Sequence, residues 1–269
     1  MKKYLPLLIV AILVLVAGGV YFFSKANAND QEPDLVETPP TISKVNSLAI
    51  AKRPYVELIP HSNLSRCNGV DMNITNFKNG EKLVEYELEY TTEKMIQGVF
   101  GRRELTGEEQ KHQPLEFGTC SRGTCRCDDD ITGGSLKLSF TGKEDYVLKG
   151  DFSVQNVGDK DDVITSRDAR FKMDFSSSLA DSADVLVTST FGFPAEVSQK
   201  VILGPYGIFV EGSPSFKKPA PSVIQSHEAS NAQILFWNGE SWEVLESTVE
   251  EGSLKFDLPS LGVVILTEK

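Results

Sequence analysis

The stretch VEYELEY, which runs from Val84 to Tyr90, decides the fold class of this sequence. Apolar and acidic residues alternate through it at every position. Successive side chains of a β-strand point to opposite faces, so the pattern predicts a strand with one face on a core and the other in water. We therefore expect an antiparallel sheet built around this strand.

The same alternation recurs on both sides of this stretch. The repeats are Val56 and Leu58; Val70, Met72 and Ile74; Leu136, Leu138 and Phe140; and Leu148, Phe152 and Val154. Between them stand the turn signals Asn68-Gly69, Asn79-Gly80, Gly133-Gly134 and Thr141-Gly142. About seven short strands over residues 50–157 predict an antiparallel β-sandwich. The pattern resembles immunoglobulin-like and fibronectin-like domains in architecture only, because the tryptophan and the inter-sheet cysteine pair of an antibody domain are missing.

A second sandwich is expected over residues 158–269, after a charged junction. Its alternating and apolar runs are Phe171, Met173 and Phe175; Val185–Val187; Val201–Leu203; Ile208–Val210; and Leu254, Phe256 and Leu258. Asn238-Gly239 marks a turn between Trp237 and Trp242. With no helical stripe of ten or more residues in either half, we expect an all-β protein.

The C-terminal quarter resembles a known module. The stretch SFKKPA, residues 215–220, is followed by a strand, Trp237, a turn, Trp242 and a final hairpin, and over residues 200–269 this resembles the ZU5-type β-sandwich of surface and adaptor proteins. Some members of that family cleave themselves at a His-Phe-Ser step between the last strands. Residues 259–262 are PSLG here, with no histidine, so the resemblance implies the fold without self-cleavage.

The N-terminus carries a different signal. Residues 4–23, YLPLLIVAILVLVAGGVYFF, are uncharged and follow Lys2 and Lys3. A helix of about 20 apolar residues crosses a bilayer, and lysines ahead of it favour a cytoplasmic N-terminus. We therefore predict a signal-anchor transmembrane helix at residues 1–25, with the bulk of the chain outside the cell membrane. A cleaved signal peptide ending at Ala26-Asn27-Ala28 is the alternative.

Residues 26–49 are acidic and contain Pro39-Pro40, which predicts a flexible linker. The whole chain is acidic, with 38 Asp and Glu against 27 Lys and Arg. Because such a surface repels phosphate backbones, we do not expect nucleic acid as a partner. The expected partners are the membrane, through the N-terminal helix, and an envelope protein or glycan.

The four cysteines are Cys67, Cys120, Cys125 and Cys127. An even count in an exported chain favours two disulfides, and zinc is the alternative. Cys125 and Cys127 lie too close along a strand to be natural partners. Cys120 and Cys125 bracket a four-residue loop that can bring them opposite each other, which leaves Cys67 for Cys127.

Other chemical signals are weak. His61, His112 and His227 lie far apart, and the sequence has no HExxH, GxSxG or phosphate-loop pattern. Asp128 to Asp130 and the group Asp159, Asp161 and Asp162 lack the spacing of a calcium loop, so solvated acidic turns are favoured, although calcium binding stays open. We expect no catalytic, cofactor or metal site.

Two function classes remain. The first is a membrane-anchored, extracytoplasmic cell-envelope protein that is not an enzyme and acts as a binding or spacer module. The second is an exported hydrolase that acts on an envelope polymer through scattered carboxylates such as Asp128 to Asp130 and Glu116. A flat exposed apolar patch would favour the first class, and a deep pocket with converging carboxylates the second.

Overall fold

The structure of the chain is a computed structural model that describes residues 44–62, 66–92, 95–105, 110–158, 162–180 and 183–269, with the backbone alone at 110–112. These residues belong to one compact unit. The predicted transmembrane helix, the alternative cleavage site and the predicted linker up to residue 43 lie outside the described residues. Within the described residues, no helix is both long and apolar enough to span a bilayer.

The prediction of an all-β protein is confirmed for the described residues. Strands of the first half are β1 (Tyr55–His61), β2 (Gly69–Thr75), β3 (Leu83–Thr91), β4 (Ile96–Glu104), β5 (Gln110–Glu116), β6 (Gly118–Ser121), β7 (Thr124–Cys127), β8 (Gly133–Thr141) and β9 (Tyr146–Asn156). Strands of the second half are β10 (Val163–Thr165), β11 (Phe171–Asp174), β12 (Asp184–Ser189), β13 (Val201–Val210), β14 (Ala220–Gln225), β15 (Ala232–Trp237), β16 (Trp242–Leu245), β17 (Ser247–Glu250), β18 (Ser253–Leu258) and β19 (Gly262–Glu268). The helices described are two 3-10 turns, Ile50–Lys52 and Ala229–Asn231.

Four antiparallel sheets form from these strands. The largest has nine strands in the order β16-β15-β19-β13-β12-β9-β8-β3-β4. A three-stranded sheet has the order β1-β2-β5, a five-stranded sheet has the order β10-β11-β14-β18-β17, and β6 and β7 form a separate hairpin. The nine-stranded sheet therefore joins strands of both halves of the chain.

The alternation in residues 84–90 produces the strand that it predicts. In β3, Val84, Leu88 and Tyr90 are buried, whereas the three glutamates between them are exposed. Two of the predicted turn signals fail, because Asn68-Gly69 leads into β2 and Gly133-Gly134 begins β8. A Cβ atom at Gly134 would lie 1.9 Å from the carbonyl oxygen of Glu89, so this glycine permits a close strand approach rather than a turn.

Two hydrophobic cores lie on opposite faces of the nine-stranded sheet. The first core joins the three-stranded sheet to β3, β8 and β9, and it includes Leu186 and Phe209. The second core joins the five-stranded sheet to β12, β13, β15 and β19, and it includes Val187 and Ile208. Because neighbouring residues of a strand point to opposite faces, β12 and β13 contribute to both cores.

This arrangement bears on the expected division into two sandwiches. Each half has its own small sheet and core, but the large sheet continues past residue 157 because β9 pairs with β12. β1 lies against β12 and β13 on one face, and β10 lies against β12 on the other. The two halves thus share their central strands, and a domain boundary at residues 157–158 stays a prediction.

Candidate functional site

The β6–β7 hairpin carries three of the four cysteines. The structure joins Cys120 to Cys125 across the hairpin and Cys67 to Cys127 at its base, which is the pairing favoured by the sequence. The hairpin connection is shorter than expected, because Ser121 and Thr124 pair with each other and leave two residues in the turn. Those residues, Arg122 and Gly123, both have positive φ, as the tight turn that matches strand twist requires.

A cleft of about 720 Å³ opens beside this hairpin. One wall contains Pro60, His61 and the start of β2, another contains Asp128 to Asp130, and the third comes from β9 and β12. Asp184 lines the third wall and accepts a hydrogen bond of 2.9 Å from Asn156. The cleft therefore lies where the first core reaches the surface.

Two polar contacts fix the side chains of this cleft. Nδ1 of His61 lies 3.1 Å from Oδ1 of Asp71, and the hydroxyl of Tyr90 donates a hydrogen bond of 2.7 Å to Asp128. Burial, that hydrogen bond and the carboxylate charge raise the pKa of Tyr90 above its ordinary value. Asp128 is thus tied to the first core, and it holds the acidic wall in place.

Of the carboxylates predicted for a hydrolase, Asp128 to Asp130 line this cleft and Glu116 does not. Glu116 is absent from the cleft lining; it pairs with Arg66 at 2.8 Å, and its Oε2 lies 3.8 Å from Sγ of Cys120. Asp128 is engaged by Tyr90. The cleft thus holds acidic oxygens that can accept hydrogen bonds, at Asp128 to Asp130 and at Asp184.

The remaining predicted residues are scattered. His227 lies by a separate surface hollow with Arg170 and Glu251. Asp162 accepts a hydrogen bond of 3.2 Å from the backbone N–H of Gly158. Asp159, Asp161 and the side chain of His112 lie outside the described residues.

The chain matches no family model, no curated protein and no solved structure. The immunoglobulin-like and ZU5-like resemblances therefore stay predictions.

The outer strand β4 forms a second surface, which is exposed and partly apolar. It ends the nine-stranded sheet, and its outer side joins no other strand of the described chain. Ile96 and Phe100, on the same face, are 71% and 83% exposed, and Met95 beside them is 56% exposed. A shallow groove of about 450 Å³ runs beside Phe100, between Glu85, Glu87 and Lys137.

Strand β4 is not evident from the sequence pattern. Its apolar residues Ile96 and Phe100 are separated by Gly98 on one face, while Gln97 and Val99 lie on the other, so no clean apolar alternation appears. One feature could have identified it: Ile96 and Phe100 lie four residues apart, and therefore on one face of a strand, directly after the β3 pattern. An edge strand with large exposed apolar side chains can accept another strand.

Proposed function

We propose that this chain is a membrane-anchored, extracytoplasmic cell-envelope protein that acts as a binding module and not as an enzyme. The apolar stretch at residues 4–23 supports the anchor and the export of the rest. Two disulfides support an oxidising compartment. The two halves are assigned as an immunoglobulin-like sandwich followed by a ZU5-like one, on the strand and motif patterns alone.

The observation that carries the binding role is the exposed apolar edge at Met95, Ile96 and Phe100. Soluble proteins rarely leave such a row of large apolar side chains on an open sheet edge, because it invites association. Native edges are normally protected by charges, bulges or a covering loop. Here charged residues lie beside Phe100 as a polar rim, which is the arrangement of a protein interface; they are Glu85, Glu87, Arg102 and Lys137.

The geometry favours a protein partner over a glycan. Every second residue of an edge strand directs its N–H and C=O away from the sheet, and an extended peptide strand can pair with those groups. Exposed Ile96 and Phe100 would then pack against alternate side chains of the added strand. We therefore assign an envelope protein that presents an extended segment, and a glycan partner becomes an outcome of the test.

The cleft supports a second candidate, an exported hydrolase. Its acidic wall at Asp128 to Asp130 faces His61 across a volume that could hold part of a polymer. This candidate is weaker because Tyr90 engages Asp128 and Glu116 is turned toward Arg66. A binding function needs neither carboxylate to be free.

Cross-linking on intact cells tests the anchor and the edge together. Cells that express the full-length chain are treated with an amine-reactive cross-linker that does not cross membranes, and the adducts are identified by mass spectrometry. We expect the wild-type chain to form a discrete protein adduct, and the Ile96→Thr/Phe100→Thr variant to form at least tenfold less of it. Threonine adds no amine for the cross-linker to modify, and its small polar side chain removes the apolar contact with an added strand.

Val244→Thr is the matched control, because Val244 is 60% exposed on β16, the strand at the other end of the same sheet. It should leave the adduct unchanged. An adduct that persists in the Ile96→Thr/Phe100→Thr variant, or an adduct with polysaccharide alone, would contradict the assigned edge. Absence of labelling on intact cells, with labelling restored after lysis, would contradict export.

A further inference from the structure

We propose that the β6–β7 hairpin is a thiol–disulfide exchange site, in which the Cys120–Cys125 bond passes reduction on to the Cys67–Cys127 bond. The sulfur atoms of Cys67, Cys120 and Cys125 all lie within 4.8 Å of one another. At this distance, a sulfur atom released from one disulfide lies close to the other disulfide. Exchange needs only that a freed sulfur reach the adjacent bond along its axis.

The two bonds differ in access to solvent. Cys120, Cys125 and Cys127 are not buried, whereas Cys67 is only 1% exposed. The tip of the hairpin, from Ser121 to Thr124, is exposed. An external thiol can therefore reach both sulfur atoms of the Cys120–Cys125 bond but only the Cys127 side of the Cys67–Cys127 bond, and Cys67 is reached from inside the molecule.

The exchange is balanced as follows. A dithiol, supplied by a reducing protein or small molecule, breaks the Cys120–Cys125 bond in two thiolate attacks, takes up a disulfide itself and leaves two reduced cysteines. The Cys125 thiolate then attacks Sγ of Cys67, forms the Cys67–Cys125 bond and displaces Cys127 as a thiolate, which takes a proton from water. One disulfide is thus consumed overall, and the remaining one has moved.

Charge favours Cys125 over Cys120 as the attacking group. The Glu116 carboxylate lies 3.8 Å from Sγ of Cys120, and a negative neighbour disfavours a thiolate there. The displaced Cys127 directly precedes Asp128 to Asp130. Exchange therefore detaches the acidic wall of the cleft from Cys67 while the hairpin stays attached.

Peptide mapping can follow this exchange because each cysteine falls in a different tryptic peptide. The cleavage positions that separate them are Arg66, Lys78, Lys111, Arg122, Arg126 and Lys137. The full-length chain in mild detergent is treated with a limiting amount of dithiothreitol, quenched with acid, alkylated and digested. We expect a Cys67–Cys125 peptide pair, with alkylated Cys120 and Cys127, to appear before full reduction.

Two single variants test the same step without any reductant. Cys120→Ser leaves Cys125 as a free thiol next to the Cys67–Cys127 bond, and we expect Cys67–Cys125 to be present alongside Cys67–Cys127 in the folded protein. Cys125→Ser should give less of the crossed bond, because Cys120 lies beside Glu116. If wild type and both variants show Cys67 bonded to Cys127 alone at every stage of reduction, the proposal is wrong.

Discussion

Three buried tyrosines share one arrangement at the residue scale. Each donates its hydroxyl to a carboxylate at 2.5 to 2.7 Å, and each ring packs against a phenylalanine. The groups are Tyr90 with Asp128 and Phe117, Tyr146 with Glu81 and Phe140, and Tyr206 with Asp168 and Phe171. The ring is thereby buried while its polar end is satisfied, which removes the cost of an unpaired hydroxyl.

These contacts predict sensitivity to alkali. Burial, followed by the hydrogen bond and the negative carboxylate, raises the pKa of Tyr90, Tyr146 and Tyr206 above the ordinary value. A raised pKa in the folded state means that the stabilisation is full below about pH 10 and is lost as the pH rises beyond it, since the unfolded chain ionises first. Each tyrosine should lower the free energy of unfolding by about 1.4 kcal/mol per pH unit in that window.

Urea unfolding between pH 8 and pH 11.5 measures this slope. Tyr206→Phe removes one ionisable group. Above pH 10 the free energy of unfolding should therefore fall less steeply with pH, by about 1.4 kcal/mol per pH unit. The variant should also be less stable at pH 8, by about 1 to 3 kcal/mol, because Oδ2 of Asp168 loses the hydrogen bond that Tyr206 donates. Equal slopes in wild type and variant would show that Tyr206 does not hold its proton in the folded state.

At the scale of elements, the two disulfides should differ in their effect on stability. Cys67 and Cys127 are 60 residues apart in sequence, whereas Cys120 and Cys125 are 5 apart. On the chain-entropy model, the long closure stabilises by about 4 kcal/mol and the short one by about 2 kcal/mol. Cys67→Ala/Cys127→Ala should therefore lower the free energy of unfolding more than Cys120→Ala/Cys125→Ala does.

Urea unfolding of both double variants under non-reducing conditions gives the comparison. Removing both partners together avoids a free thiol that could exchange with the other bond. If the short-loop variant proved the less stable one, the loop-closure account would not apply to this hairpin.

Some of these elements can be predicted from the sequence, and others cannot. Strand β3 and the wider all-β character follow from local alternation, and the cysteine pairing follows from spacing. β12 and β13 appear only as short apolar runs because both of their faces are buried, and the sequence divides β13 into two. The pairing of β9 with β12, and the exposure of β4 and the cleft, depend on contacts between distant segments that a local pattern does not encode.

On the scale of the whole molecule, the nine-stranded sheet should make the two halves unfold together. Leu138 belongs to the first core, and both tryptophans, Trp237 and Trp242, lie in the second half. We expect Leu138→Ala to destabilise by about 2 to 5 kcal/mol and to move the unfolding midpoint seen by tryptophan fluorescence. The destabilisation would reach the second half through β12 and β13, which contribute to both cores.

Circular dichroism of the same samples provides the control, because it reports on strands of both halves. The two signals should give one midpoint in wild type and one lower midpoint in the Leu138→Ala variant. A tryptophan midpoint that stays in place while circular dichroism shifts would instead describe two sandwiches that unfold independently.

The shared strands β12 and β13 also determine when the first half of the chain can complete its fold during synthesis. Synthesis proceeds from the N-terminus, so β1 is made long before β12 and β13, the strands on which it rests. A nascent chain that has reached Asn156 contains all three strands of its small sheet but still lacks Leu186 and Phe209 to close the first core. The first half of the folded region therefore keeps an exposed apolar surface, which chaperones and proteases can bind, until residue 210 has been synthesised.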